Sequence, residues 1–203
     1  MGLAPVASQR KGILFIVSGP SGVGKTTLIK RLLKFFPDMT LSVSCTTRPR
    51  RRGEVPGRDY HFVTAEQFAA LRSRGGFAEW ARVHGALYGT PRAPLERTLR
   101  RGRDALLEID VQGTRKIKRL YPAAVSIFIL PPSLGALEHR LARRGTDRKT
   151  ILKRLETSPR EIREIMRYDY VVENRDLRQA VESAKAIVTA ERHRLFRRKP
   201  SGR

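Results

Sequence analysis

Two stretches of the chain carry residue types whose spacing does chemistry. The first is "GPSGVGKT", Gly19 to Thr26, which matches the pattern G-x-x-x-x-G-K-[ST]. It follows the apolar run "GILFIVSG" and opens "KTTLIKRLLKFF", so it lies between a buried strand and a helix, the context this motif requires. Its glycines let backbone N–H groups turn inward around phosphate oxygens, and the helix N-terminus adds its dipole. Lys25 then reaches the β- and γ-phosphates of a nucleoside triphosphate, and the Thr26 hydroxyl is placed for Mg²⁺. Gly19, Pro20, Ser21, Gly22, Val23, Gly24 and Thr27 complete the loop as ligand-binding positions.

The second stretch is "TTRPRRRGEVPGRDYHF" at 46–62, with Arg48, Arg50, Arg51, Arg52 and Arg58 among glycines and prolines. It reads either as a diffuse basic surface or as a shaped clamp for one small anion. A third feature is "LLEID", which ends in Asp110 at the C-terminal end of an expected strand. Ligands of parallel α/β sheets sit at that edge. Asp110 therefore either holds a water of a magnesium shell or caps the helix that follows.

The elements that must position these residues follow from periodicity. Strands are expected at "GILFIVSG", "LSVSC", "DYHFV", "DALLEID", "AVSIFIL" and "YDYVVE", and "FAEWARVHGALYGT" reads as two strands joined by a glycine turn. The helix after the phosphate loop stops at Pro37. "TAEQFAALRSRGG" has a Thr64/Gln67 capping box and a Gly75-Gly76 stop. Further helices are expected at "PRAPLERTLRRG", "VQGTRKIKRL", "SLGALEHRLARRG" capped by Ser133, and 176–198. "RKTILKRLETSPREIREIMRY" is helical, with Pro159 expected to bend or split it. Alternating strands and helices imply an α/β fold with a parallel central sheet and right-handed crossovers. The segment 42–90 departs from that alternation and reads as a small mixed α+β lobe.

The chain has 203 residues and a formal net charge of +23, a field that attracts anions of any kind. Its single cysteine, Cys45, permits no disulfide within the chain and reads as a small core residue in a reducing, cytoplasmic setting. No apolar run approaches a membrane span. His61, His84, His139 and His193 have no metal-ligand spacing, which argues against zinc. Residues 1–11 read as a disordered lead.

A phosphate loop followed by this arginine segment resembles the guanylate kinases, which transfer phosphate from ATP to GMP. The resemblance runs from about Gly12 to about Leu195. It rests on "SVSCTTRPRRRGEVPGRDYHFV", "FAEWARVHGALYGTP", "RLARRGTD…ILKRL" and "YDYVVEN". It implies a P-loop NTPase three-layer core at 12–41 and 91–203, a helical lid at about 140–158 within it, and a GMP-binding lobe at 42–90. By that resemblance Arg48, Arg51, Tyr60 and Tyr88 hold the 5′-phosphate of GMP, while Ser44, Glu79, Thr90 and Glu108 read guanine. Arg140, Arg144 and Arg154 converge on the ATP phosphates, and Asn174 lies near adenine. Lys25, Arg48, the three lid arginines and Asp110 are then the catalytic set, with Mg²⁺ on Thr26 and, through water, on Asp110. Arg50, Arg52 and Arg58 match no phosphate position and are expected as solvated charge.

The chemistry of the matched residues agrees independently. Guanidinium groups make charge-assisted, often bidentate bonds to phosphate. A carboxylate accepts from N1–H and the 2-amino group of guanine, and adenine has no such pair. This sequence departs from the usual pattern at Glu108, where aspartate is common, in the short basic lid "GTDRKTI", and at Glu173 and Arg175. A non-catalytic relative that binds phosphopeptides would lose the phosphate-loop lysine and lid arginines, all of which are present. Nucleic acid is expected only as a weak, nonspecific partner of the charge, and the chain as a monomer or homodimer.

Overall fold

The computed structural model describes residues 11–83, 85–143 and 145–194. The chain runs β1 (Leu14–Ser18), α1 (Lys25–Phe35), β2 (Thr40–Leu41), β3 (Cys45–Thr46), β4 (His61–Phe62), α2 (Ala65–Ser73), β5 (Phe77–Val83) and β6 (Ala86–Pro91). It continues with α3 (Arg92–Arg100), β7 (Ala105–Glu108), α4 (Val111–Leu120), β8 (Val125–Leu130), α5 (Leu134–Ala142), α6 (Arg148–Arg163), a 3₁₀ turn (Glu164–Arg167), β9 (Tyr170–Glu173) and α7 (Leu177–Arg192). The central parallel sheet has the order β2-β7-β1-β8-β9. A second sheet has the order β4-β3-β6-β5. No helix among the described residues is long and apolar enough to cross a membrane.

Two compact units divide the chain: residues 1–15 with 38–107, and residues 16–37 with 108–203. In the first, β5 and β6 pair antiparallel, with Glu79 opposite Thr90 and Ala81 opposite Tyr88. β3 joins β6 antiparallel, placing Thr46 opposite Tyr88, and β4 joins β3 in parallel. α2 lays Phe68 on Phe77, the ring centroids 4.5 Å apart, and Cys45 is buried beside them with Val63, Trp80 and Leu87 around it. The thiol is pushed up from its ordinary pKa by burial, as suits a core cysteine.

In the second unit β8 and β9 pair in parallel, with Phe128 opposite Val171. α1 and α7 pack together, Lys185 lying over the Phe35 ring and Arg192 over Phe36. α5 packs on α6. β1 and β8 are buried along nearly their whole length, which is why they read as unbroken apolar runs.

Three expectations change. "LSVSC" is not one strand. Thr40–Leu41 pair with Ala105–Leu106, whereas Cys45–Thr46 pair with Gly89 and Tyr88 in the other sheet. The residues between them carry the chain from one sheet to the other. Pro159 does not split its helix, because α6 runs through it to Arg163. Finally, α7 ends at Arg192, where the His193 amide closes on the Ala190 carbonyl, short of the expected 198. Residues 1–10 of the expected lead, and 195–198, lie outside the described residues.

Candidate active site

The phosphate loop leaves β1 at Gly19 and enters α1 at Lys25. Gly19 and Gly24 have φ of 139° and 102°, where side-chain-bearing residues are strained. A Cβ on Gly19 would stand 2.4 Å from the Ile129 carbonyl oxygen, and one on Gly24 2.6 Å from Asn174 Nδ2. Close approach therefore demands glycine at both. α2, α4, α5, α6 and α7 each begin with a side chain accepting from the first turn, whereas α1 at Gly24 and α3 at Pro91 begin with none. A helix N-terminus without a side-chain cap is suited to an anion, because its dipole and first N–H groups favour negative charge. Lys25 Nζ donates to the carbonyls of Gly19 (2.6 Å) and Pro20 (3.0 Å), which holds the ammonium against the loop.

Behind the loop stands a brace. The Val23 carbonyl accepts from Arg140 Nη1 at 3.0 Å and from Asn174 Nδ2 at 2.7 Å. Arg140 Nη2 also donates to the Asn174 carbonyl at 2.7 Å, so the three residues form a closed ring of bonds. Asn174 is buried, and Arg140 comes from α5. One donor from each side chain is thus directed at the loop's own backbone, at Val23. Arg154 lies half-buried on α6, and Arg144 lies outside the described residues.

Three carboxyl groups of this unit belong with the loop. Glu108 Oε1 accepts the Thr26 hydroxyl at 2.8 Å. Asp110 caps α4, its Oδ1 accepting from the Gly113 amide at 2.8 Å, so the capping reading holds for that oxygen. Glu161 of α6 was invisible to sequence reasoning. Burial pushes its carboxyl up to about 7, the Lys25 ammonium opposing this and the Asp110 carboxylate reinforcing it. A hydroxyl and carboxylates near a glycine loop form a donor set suited to Mg²⁺, which takes one or two carboxylates and fills the rest with phosphate and water.

The first unit gathers the other predicted residues into two groups. In one, the Arg48 guanidinium lies 5.2 Å from the Tyr60 ring centroid and 5.8 Å from that of Phe62. Its Nε donates to the Tyr88 hydroxyl at 3.3 Å. Tyr60 and Tyr88 meet edge to face, their centroids 6.0 Å apart. The Arg51 side chain is exposed next to this cluster in sequence. Arg50, Arg52 and Arg58 are exposed, as expected of solvated charge, and Arg58 pairs with Asp59 at 2.7 Å.

In the other group, strand alternation puts Glu79 on the buried face of β5, in line with Phe77 and Ala81. It is only 6% exposed, and its Oε1 accepts the buried Thr90 hydroxyl at 2.8 Å. A carboxylate on the core face of a strand is costly unless hydrogen-bond donors or opposite charge compensate it, and the Thr90 hydroxyl supplies one such donor. Ser44 is also buried, where the chain passes towards β3.

Sequence reasoning also missed Glu54. Its carboxylate takes Arg48 Nη1 and Nη2 at 2.9 and 2.7 Å. Its signal was present: it is the first acid in a run of arginines.

A parallel α/β sheet whose first strand feeds a glycine loop, a lysine and an uncapped helix, with a hydroxyl–carboxylate pair at the loop's end, defines a P-loop nucleotide-binding protein of the phosphotransferase class. Comparison with known proteins narrows it. The guanylate kinase family model matches residues 11–191. A guanylate kinase of Syntrophotalea carbinolica is 52% identical over 96% of this chain and 94% of its own. One of Thermotoga maritima is 46% identical over 92% and 91%. The crystal structure of guanylate kinase from Anaplasma phagocytophilum matches with a TM-score of 0.80 at 36% identity, covering 93% of this chain and 90% of that one. The chain belongs to the guanylate kinase family, the enzymes that phosphorylate GMP with ATP.

Proposed function

We propose that this chain transfers the γ-phosphate of ATP to GMP and dGMP with the residue roles that its side-chain groups support. Residues 42–90 supply the acceptor lobe. Within it Arg48, Arg51, Tyr60 and Tyr88 hold the acceptor phosphate, and Ser44, Glu79 and Thr90 read guanine. Residues 12–41 and 91–203 form the kinase core, with 140–158 as its lid. Gly19 to Thr27 wrap the ATP phosphates, and Lys25 carries charge on the transferring group. Glu108, to which the resemblance gives guanine, is assigned here to the metal side because it accepts a hydrogen bond from the Thr26 hydroxyl, leaving that oxygen's lone pairs for a cation. Thr26, Glu108 and, through water, Asp110 would hold Mg²⁺, which supplies charge neutralisation to the phosphates when bound.

The reaction needs no covalent enzyme intermediate. An oxygen of the acceptor phosphate forms a bond to the γ-phosphorus as the bond to the β,γ-bridging oxygen breaks, and ADP leaves. Catalysis is then positioning plus stabilisation of developing charge. Arg140 and Asn174 contribute by fixing the loop through Val23. Arg144 and Arg154 remain assigned to the transferring phosphate, and the chain is placed in the cytoplasm.

The observation that carries the acceptor assignment is Glu79, a buried carboxylate fixed by the hydroxyl directly across the strand pair. Guanine offers it two donors. AMP offers an acceptor at N1 and no 2-amino group, and a site built around substrate donors rejects such an analogue by as much as ~10⁴. ADP release measured with GMP, dGMP, AMP, UMP and CMP tests this. GMP and dGMP are expected to turn over and AMP to be poor, and Glu79→Gln should narrow the GMP-to-AMP ratio of kcat/KM. An unchanged ratio would mean that guanine is read elsewhere.

A further inference from the structure

Arg48 is not a loose cation waiting for an anion. A guanidinium has five N–H donors. Here Nη1 donates to Glu54 Oε2 at 2.9 Å and to the Pro49 carbonyl at 2.7 Å, Nη2 donates to Glu54 Oε1 at 2.7 Å, and Nε donates to the Tyr88 hydroxyl at 3.3 Å. The fork that would grip a phosphate is already filled by a carboxylate.

That carboxylate is itself fixed. Glu54 Oε2 also accepts from the Arg51 amide at 2.7 Å, and the Glu54 amide returns to the Arg51 carbonyl at 3.2 Å. Gly53, with φ of 85°, lets the turn close. Burial works against ionisation of Glu54, but the Arg48 guanidinium and the Arg51 amide hold its carboxyl below the usual range. The pair is largely shielded, with side-chain exposures of 12% for Arg48 and 19% for Glu54.

Two roles fit a carboxylate in that place. It could be a lodger that an incoming phosphate must evict, or a bracket that stays. Eviction would break two charge-assisted hydrogen bonds and the one donated by the Arg51 amide only to remake similar ones, and would strand a partly buried carboxylate. A bracket has a consequence further along the chain of bonds. With its Nη edge locked, Arg48 presents Nε–H to the Tyr88 oxygen. That oxygen, having accepted, must direct its own proton elsewhere, as a donor.

We propose that Glu54 is a positioning residue for the acceptor phosphate: it fixes Arg48 and, through Arg48 Nε, aims the Tyr88 O–H at the anion. This rests on the reading of Arg48 and Tyr88 as ligands of that phosphate. Glu54 touches no substrate. It also explains how one arginine among several neighbours is singled out, because Glu54 bridges the Arg48 side chain and the Arg51 backbone and so sets the shape of the loop that carries both.

The test is a double-mutant cycle of Glu54→Gln and Tyr88→Phe, read as GMP affinity by calorimetry and as kcat and KM for GMP and ATP. Glutamine keeps the size of Glu54 but turns one acceptor into a donor facing Arg48. Glu54→Gln is expected to weaken GMP about tenfold to a hundredfold, the scale of one charged hydrogen bond, with the KM for ATP little changed. Tyr88→Phe should then cost much less in the Glu54→Gln background than in the native one. Tighter GMP binding by Glu54→Gln would establish the lodger and overturn the proposal. Additive losses would overturn it too, reducing Glu54 to a structural link. If Tyr88→Phe and Arg48→Ala leave GMP binding intact in the native background, it is the phosphate-clamp reading itself that falls.

Discussion

Replacing Gly24 by alanine perturbs the phosphate loop at one atom, and its cost follows from three quantities. The backbone there has φ of 102°, outside the range that a Cβ tolerates. Left-handed backbone costs an L-residue roughly 1–2 kcal/mol. The new Cβ would stand 2.6 Å from Asn174 Nδ2. Ordinary contact is about 3.5 Å, so the amide must retreat by roughly 1 Å. That retreat breaks its 2.7 Å bond to the Val23 carbonyl and leaves a buried amide short of an acceptor, for about 1–3 kcal/mol more. The sum is a loss of about 2–5 kcal/mol. Thermal and urea unfolding of Gly24→Ala, Asn174→Ala and the double variant separate the parts. With Asn174 shortened the clash disappears, so the alanine should then cost only the backbone share. Full additivity of the two substitutions would refute the reasoning, because it would mean that Asn174 and Gly24 do not constrain one another.

Lys25→Ala is expected to abolish turnover while calorimetry with GMP alone shows near-native affinity, since the ammonium is held against the glycine loop proposed for ATP. Near-normal turnover would remove the phosphate-loop assignment. Glu161→Gln should change how stability depends on pH. The carboxyl titrates at about 7 in the folded chain against 4.5 ordinarily. Between those values the native state holds a proton that the unfolded chain has released, so native stability falls as pH rises from about 4.5 to 7, by up to ~1.4 kcal/mol per pH unit. The amide abolishes this term. Urea midpoints at pH 5 and pH 8 should therefore show the variant gaining on the native protein by up to ~3 kcal/mol at the higher pH. A constant difference between the two proteins would show that Glu161 titrates normally.

What the sequence revealed and what it hid divide by range of interaction. The phosphate loop is legible because its chemistry is local: contiguous residues, one glycine-dependent backbone path and one lysine. The capping box of α2 is legible for the same reason, and both of its bonds are present. "LSVSC" was misread because its two halves answer to different partners, Ala105–Leu106 and Gly89–Tyr88, far along the chain. Pro159 does not split α6 because propensity is a weak prior: the helix keeps Ile151 and Ser158 buried, and the Ser158 hydroxyl bonds the Arg154 carbonyl within it. In the site, residue types could be read but not their partners. Nothing in the sequence pairs Thr26 with Glu108, or Val23 with Arg140 and Asn174.

The arginines show why charge alone could not decide between a basic surface and a clamp. Among the described residues most basic side chains stay in water; Arg58, Arg100, Arg167 and Arg175 are 61, 70, 67 and 76% exposed even where each has an acidic neighbour. Pairs of that kind contribute about 0–1 kcal/mol and fix no geometry. They make a field that raises the local concentration of any anion. Arg48 and Arg140 differ in being held: one by a carboxylate, a carbonyl and a phenol, the other by two backbone carbonyls. Each spends donors on the protein and in return loses rotamer freedom before any ligand arrives. That is the condition for preorganised electrostatics, in which little reorganisation remains to be made when charge develops. Restraint of this kind separates Arg48 and Arg140 from the exposed arginines beside them in the sequence, and a count of neighbouring like charges does not reveal it.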